Sequence, residues 1–239
     1  MYGALSTEQY LDATAAGAGA MTDALANHPL DTPVPSCPGW DLGDLGGHLG
    51  VVHRWALDSL TSSSPPDEGP PGPREELASW YADSADALLA ALRGTDPDTA
   101  CWGFGPRPRT VRFWLRRQAH ETSMHSWDAL VAIGREPRID ADVAADGVDE
   151  VVSVFYPRQV RLGRRPPLGV ALAFSPTDAG GPAVLGEGEA VASLSGPAEL
   201  LLLGLWRRRD WGRLLDDGLV RLDGDAPAAR AVLAQAHTP

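Results

Sequence analysis

Lysine is absent from this chain: all 20 basic residues are arginine, set against 32 acidic ones for a formal net charge of −12. Phosphate recognition needs a clustered basic face, so the charge argues against nucleic acid as a partner. With 26 glycines, 21 prolines and abundant alanine, the missing lysine reads as the codon bias of a GC-rich genome. It also means that an anionic substrate would meet a forked guanidinium rather than an ammonium group. Cysteine is nearly as scarce. Cys37 and Cys101 lie far apart with no CxxC pair, which argues against a disulfide framework or a cysteine metal cluster. No run approaches the ~18 uninterrupted apolar residues of a membrane span. The opening stretch MYGALSTEQYLDA carries no basic segment followed by an apolar core, so the expectation is a soluble, cytoplasmic protein with no membrane partner.

What is present is helical spacing. A capping box at Ser6–Gln9 starts a first helix, and Asp41 caps a second that follows the turn PSCPGW. After the loop SSSPPDEGPPGP, a third opens near Pro73, and a fourth runs from about Val111 to Ile133. Four such helices predict a bundle. Residues 140–156 read as one more amphipathic helix, followed by the basic, proline-containing linker RQVRLGRRPP. The alternating runs GVALAF, AVLGEG and EAVASLSG predict strands, Pro197 opens a helix, LVRLDGD reads as a strand and PAARAVLAQAH as a closing helix. The expected fold class is therefore α plus α+β: a four-helix bundle over residues 1–157 and a small α+β domain over 158–239.

The fourth helix carries the chemistry, in the run RRQAHETSMHSWDAL. At ~100° per residue, Glu121 and His125 fall on one face a turn apart, whereas His120 and His125 diverge. This is Glu-x-x-x-His and not the HExxH of zincins. Two ligands leave a catalytic zinc one short of its usual three. Of the remaining histidines, His48 shares the apolar stripe of Leu45, Leu49 and Val52 and is the better candidate, with His53 pointing elsewhere. The competing reading makes Glu121–His125 a simple i,i+4 pair and His48 a hydrogen-bonded core residue. Asp128, a turn beyond His125, could hold the second ring N–H of a ligand. Arg117, a turn before Glu121, either binds a substrate carboxylate or pairs with Glu121. Nothing basic stands near Cys37 in the sequence, so it is not expected to act as a nucleophile.

The blocks VPSCPGWDLGDLGGHLG and RRQAHETSMHSWDAL together resemble the mycothiol-dependent maleylpyruvate isomerase family, whose N-terminal domain is a DinB-like four-helix bundle. SGPAELLLLGLWRRR and RLDGD are similar to that family's sterol-carrier-like second domain. The resemblance spans nearly the whole chain and implies zinc ligands at His48, Glu121 and His125, one Zn2+ per chain, and mycothiol as the thiol cofactor. It also implies that a second-domain arginine meets an acidic substrate. Arg207, Arg208, Arg209 and Arg221 are candidates, and Arg221 is preferred for this catalytic role. The implied activity is thiol addition to an electrophilic small molecule, as in maleylpyruvate cis–trans isomerisation. Two alternatives are a mycothiol S-transferase in detoxification or biosynthesis and a metal-stabilised small-ligand-binding protein. A monomer or weak homodimer is expected.

Overall fold

The computed structural model describes residues 5–238 and divides the chain into two compact units, Met1–Arg138 and Ile139–Pro239. In the first, α1 (Thr7–Asn27) begins at Ser6, whose side chain accepts the Gln9 amide at 3.2 Å while Gln9 Oε1 accepts the Ser6 amide at 2.9 Å. Each bond satisfies a donor that the first helical turn leaves open. Asp41 and Asp44 repeat the device at the start of α2 (Leu42–Ser59). A 3-10 turn at Arg74–Glu76 leads into α3 (Leu77–Gly94), and α4 (Val111–Ala132) completes the set.

Helix α1 lies along α4 and α2 along α3, with α1–α3 and α2–α4 contacts closing a four-helix bundle. Met21, Leu25, Leu45, Leu49 and Tyr81 are among its core side chains. Trp55 meets Trp102 and Trp114 edge to face, each at a centroid distance of 5.2 Å. α4 is buried on nearly every side, yet its buried residues include Arg116, Arg117, Gln118, His120, His125 and Asp128. A helix enclosed all round is normally apolar all round, so these polar groups need a reason.

In the second unit α5 (Ala141–Glu150), capped by Asp140, continues through a π-turn at Val151–Phe155 into α6 (Tyr156–Arg161). Strands β1 (Ala171–Pro176), β2 (Ala183–Leu185), β3 (Ala190–Gly196) and β4 (Arg221–Gly224) form one mixed sheet in the order β2-β1-β3-β4. β1 runs parallel to β3, and the outer pairings are antiparallel. α7 (Ala198–Leu205) packs on α5, β1 and β3, and α9 (Ala226–Leu233) on β3.

Three features differ from the sequence reading. The units divide at Arg138/Ile139 instead of 157/158, because α5 turns its apolar face onto α7 and Glu199 of α7 accepts the Ile139 amide at 2.8 Å. The expected linker begins inside α6, and a six-residue helix, α8 (Trp211–Asp216), stands where no element was expected. No helix of the described residues is long and apolar enough to cross a membrane.

The α1–α4 contact is set by Gly17, where a Cβ would lie 3.0 Å from Thr122 Cγ2 and 3.1 Å from the Thr122 carbonyl oxygen. Gly17→Val should therefore destabilise the bundle by about 1–3 kcal/mol through overpacking. Gly19 has nothing within 4 Å of such a Cβ, so Gly19→Ala should stabilise by about 1 kcal/mol from helix propensity alone. Urea unfolding midpoints of the two variants against the parent check both signs.

Candidate metal centre

With 3.6 residues per turn, α4 places Arg117, Glu121, His125 and Asp128 in one column. Arg117 Nη2 donates to Glu121 Oε2 at 2.8 Å. The other carboxylate oxygen, Oε1, lies 3.4 Å from His125 Nε2 and 3.4 Å from Nε2 of His48, which α2 brings across from the facing helix. The two imidazoles stand edge to face with centroids 5.2 Å apart. Below them His125 Nδ1 sits 3.0 Å from Asp128 Oδ2, and the Cys37 thiol lies 3.7 Å from the same oxygen.

These separations were tested against a divalent ion. Ligand atoms ~2.0–2.2 Å from a tetrahedral zinc stand about 3.3–3.5 Å apart, which the two 3.4 Å distances match. They are longer than good N–H···O bonds, which cluster near ~2.9–3.0 Å. His48, Glu121 and His125 offer ligand atoms all within 4.8 Å of one another, and so do Cys37, His125 and Asp128. The groups share His125, and its bonds separate them. The 3.0 Å contact at Nδ1 is of hydrogen-bond length, so a fully buried Asp128 holds the proton there and turns the Nε2 lone pair toward His48 and Glu121. Two imidazole nitrogens and one carboxylate oxygen are the donor set of zinc sites that keep a position open for substrate.

The same contacts set the charges in the column. Burial opposes ionisation of Glu121, but Arg117 and the hydrogen bonds from His125 and His48 more than offset it and hold the carboxyl well below its ordinary range. Burial likewise disfavours a charged His125, yet its bonds to Asp128, Cys37 and Glu121 push it well above the usual imidazole value. Cys37 is thus not isolated from basic groups, as its sequence neighbours suggested: the fold puts His125 and Asp128 beside it.

The fold treats the other sequence candidates unevenly. Arg117 is 3% exposed and spends a guanidinium bond on Glu121, so it sits inside the column and not at an open mouth. Arg221 lies on the edge strand β4 of the second unit, 76% exposed and paired with Asp223 at 2.7 Å. His120 is buried with its ring edge-on to Tyr10, off the Glu121–His125 face as expected. His53 was read as pointing elsewhere than the apolar stripe of His48, and the fold buries it as well. It is fully buried, its Nε2 is 3.0 Å from Thr122 Oγ1, and its ring lies 5.5 Å from that of Tyr81. Because α2 packs on both α3 and α4, its buried arc is wider than the one stripe that spacing suggested. Trp40, which follows the PSCPG turn and was given no role in the sequence reading, is exposed, with its ring 5.0 Å from His48.

Comparison with known proteins then adds the following. Residues 10–130 match the family model of the mycothiol maleylpyruvate isomerase N-terminal domain, and residues 142–231 that of the MDMPI C-terminal domain. Among solved structures, the fold is similar to a crystal structure of the mycothiol-dependent maleylpyruvate isomerase (TM-score 0.60) and to one of its histidine-to-alanine mutant (TM-score 0.63). Each is 15% identical and the match covers 83% of this chain and 88% of the other, a likeness of fold. No curated protein matches the sequence.

Burial lowers His53 to about 4, and its Nδ1 has no hydrogen-bond partner. An unfolded histidine titrates near ~6.5, so between pH ~6.5 and 4 the unfolded chain binds a proton that the folded chain refuses. Stability should fall as pH drops through that window, by roughly 3 kcal/mol at pH 4 from this residue alone. Urea midpoints between pH 7 and 4.5 should decline less steeply in His53→Gln, and equal slopes would show that His53 is not the group responsible.

Proposed function

Because this chain belongs to the mycothiol maleylpyruvate isomerase family, we propose that it is a cytoplasmic, zinc-dependent enzyme that uses mycothiol for addition to an electrophilic small molecule, as in the cis–trans isomerisation of maleylpyruvate. One observation carries the metal half of this reading: a single oxygen of Glu121 lies 3.4 Å from the Nε2 atoms of both His48 and His125. Zinc, held by these three residues, would supply the Lewis acidity that favours the ionised form of a thiol brought to the site.

The chain's own groups have defined tasks in this scheme. His48, Glu121 and His125 hold the ion. Asp128 keeps a proton on His125 Nδ1 so that Nε2 is free to coordinate. Arg117 occupies Glu121 Oε2 and leaves Oε1 for the metal. The substrate-binding role first given to Arg117 therefore passes to a more accessible guanidinium, and Arg221 is proposed to meet the acceptor's carboxylate. Exchanging Asp223 for that carboxylate costs little, since exposed ion pairs contribute about 0–1 kcal/mol. The protein works as a monomer or weak homodimer.

A second reading, S-transfer to an uncharged electrophile, has one observation in its favour. The two guanidiniums that flank the centre are already on carboxylates, Arg117 on Glu121 and Arg74 on Asp41 at 2.7 Å. Isomerase and transferase share thiol addition and differ in whether the adduct eliminates its thiol or is released.

Purified protein should carry about one zinc per chain by elemental analysis. His48→Ala and His125→Ala should lose most of it, and His120→Ala should retain it. Turnover of maleylpyruvate should require an added low-molecular-weight thiol. Full occupancy in both ligand variants would end the metal assignment, and thiol-independent turnover would end the mycothiol reading.

A further inference from the structure

A cleft of about 530 Å³ opens beside the centre, and His48 is part of its wall. Its size falls within the ~300–1,000 Å³ of small-molecule sites. One wall is the face of α2 at Gly43 and Gly47, where the absence of side chains lets Arg74 and Pro71 lie directly on the helix. The strap Pro71–Gly72 with Arg74 continues that wall. That strap is pinned: a Cβ at Gly72 would strike the Trp80 ring, which itself packs on Gly50 and carries Arg54 4.8 Å above it. At the rim stands Trp40, 37% exposed, presented by the turn at Gly39 with φ +87° and tilted against His48.

The charge of the cleft distinguishes between the two substrates of the reaction. Arg74 is neutralised by Asp41, and Asp44 adds a further carboxylate to the lining. A carboxylate-bearing electrophile would meet net negative charge here. A cyclic polyol or an amino sugar would not. Its C–H face can lie on the indole, and its hydroxyl or ammonium donors can bond Asp44, whose Oδ2 caps α2 while Oδ1 remains to accept.

We propose that this cleft, with Trp40 as its platform, binds the sugar-like carrier of the thiol and delivers the sulfur past His48, leaving the electrophile to approach from another side. The proposal rests on the thiol-dependent reading above and names the substrate that the cleft selects. The probe is the glucosamine–inositol fragment of mycothiol, which lacks the cysteine and so cannot bind through sulfur. By titration calorimetry it should bind the purified protein, bind Trp40→Ala about tenfold more weakly, as expected for one lost ring-stacking contact, and bind Trp40→Tyr nearly as well as the parent. In steady-state kinetics Trp40→Ala should raise the KM for mycothiol by about the same factor and leave that for the electrophile within about twofold. Gly47→Val gives a second route, since its Cβ would lie 3.2 Å from Pro71 and would push that strap away from α2, reshaping the cleft wall; it should weaken fragment binding while zinc content stays at the parent's level. Thiol-dependent turnover without fragment binding, or a change confined to the electrophile's KM, overturns the cleft assignment alone. Fragment binding that needs Trp40, in a protein with no thiol-dependent turnover, upholds the cleft and overturns the catalytic reading.

Discussion

Glu121 can serve as a ligand only when charged, and a carboxylate inside a helical bundle stays charged only if partners replace the water it has lost. Arg117 is that partner, and it is itself 3% exposed, so each charge depends on the other. Removing either would strand a buried charge, at a cost on the order of 3–5 kcal/mol. Such a pair is weak evidence for stability, since apolar side chains of similar volume would pack as well. Its use lies in geometry. With Oε2 held by Arg117, Oε1 faces the two imidazoles, and with Nδ1 of His125 held by Asp128, Nε2 faces Oε1. Of the buried polar groups on α4, this column accounts for Arg117, His125 and Asp128.

The column on α4 is complete only when α2 presents His48 to it, and glycines of α2 seat that helix against α1 and α3. Gly46 faces Leu25 and Gly50 faces the Trp80 ring at distances that leave no room for a Cβ. Each interior glycine lowers helix propensity by about 1 kcal/mol relative to alanine. Gly43 and Gly47, a turn apart on the same helix, let Arg74 and Pro71 lie on α2 along the wall of the cleft beside His48. One run of sequence, LGDLGGHLG, thus sets helix packing, ligand position and cleft shape together. That coupling explains why the glycines flank the histidine.

Local chemistry was legible. Ser6–Gln9 and Asp41–Asp44 mark helix starts because a capping bond involves residues three apart and nothing distant. Glu121 and His125 share a face for the same reason, one turn of one helix. The boundary between units was harder to read. A basic, proline-containing linker suggested 157/158, but the division follows which surface α5 buries, and the Glu199–Ile139 bond that seals it spans 60 positions. α8 escaped notice because six residues are too few for a periodic signal.

From the sequence alone came the fold class, the Glu-x-x-x-His pair, His48 on its apolar stripe and the family resemblance. These rest on composition, on short-range hydrogen bonding and on helical period, all of which are local. Tertiary structure decided the rest: that His53 is buried although it lies off His48's stripe, that Arg117 turns onto Glu121, that Cys37 rests against Asp128 ninety-one positions away, and that Trp40 stands at the mouth of a cleft. Each depends on where a second helix or a strap comes to lie. Burial and partnership are properties of pairs of segments, and the side-chain period of one helix records only its own half of the contact.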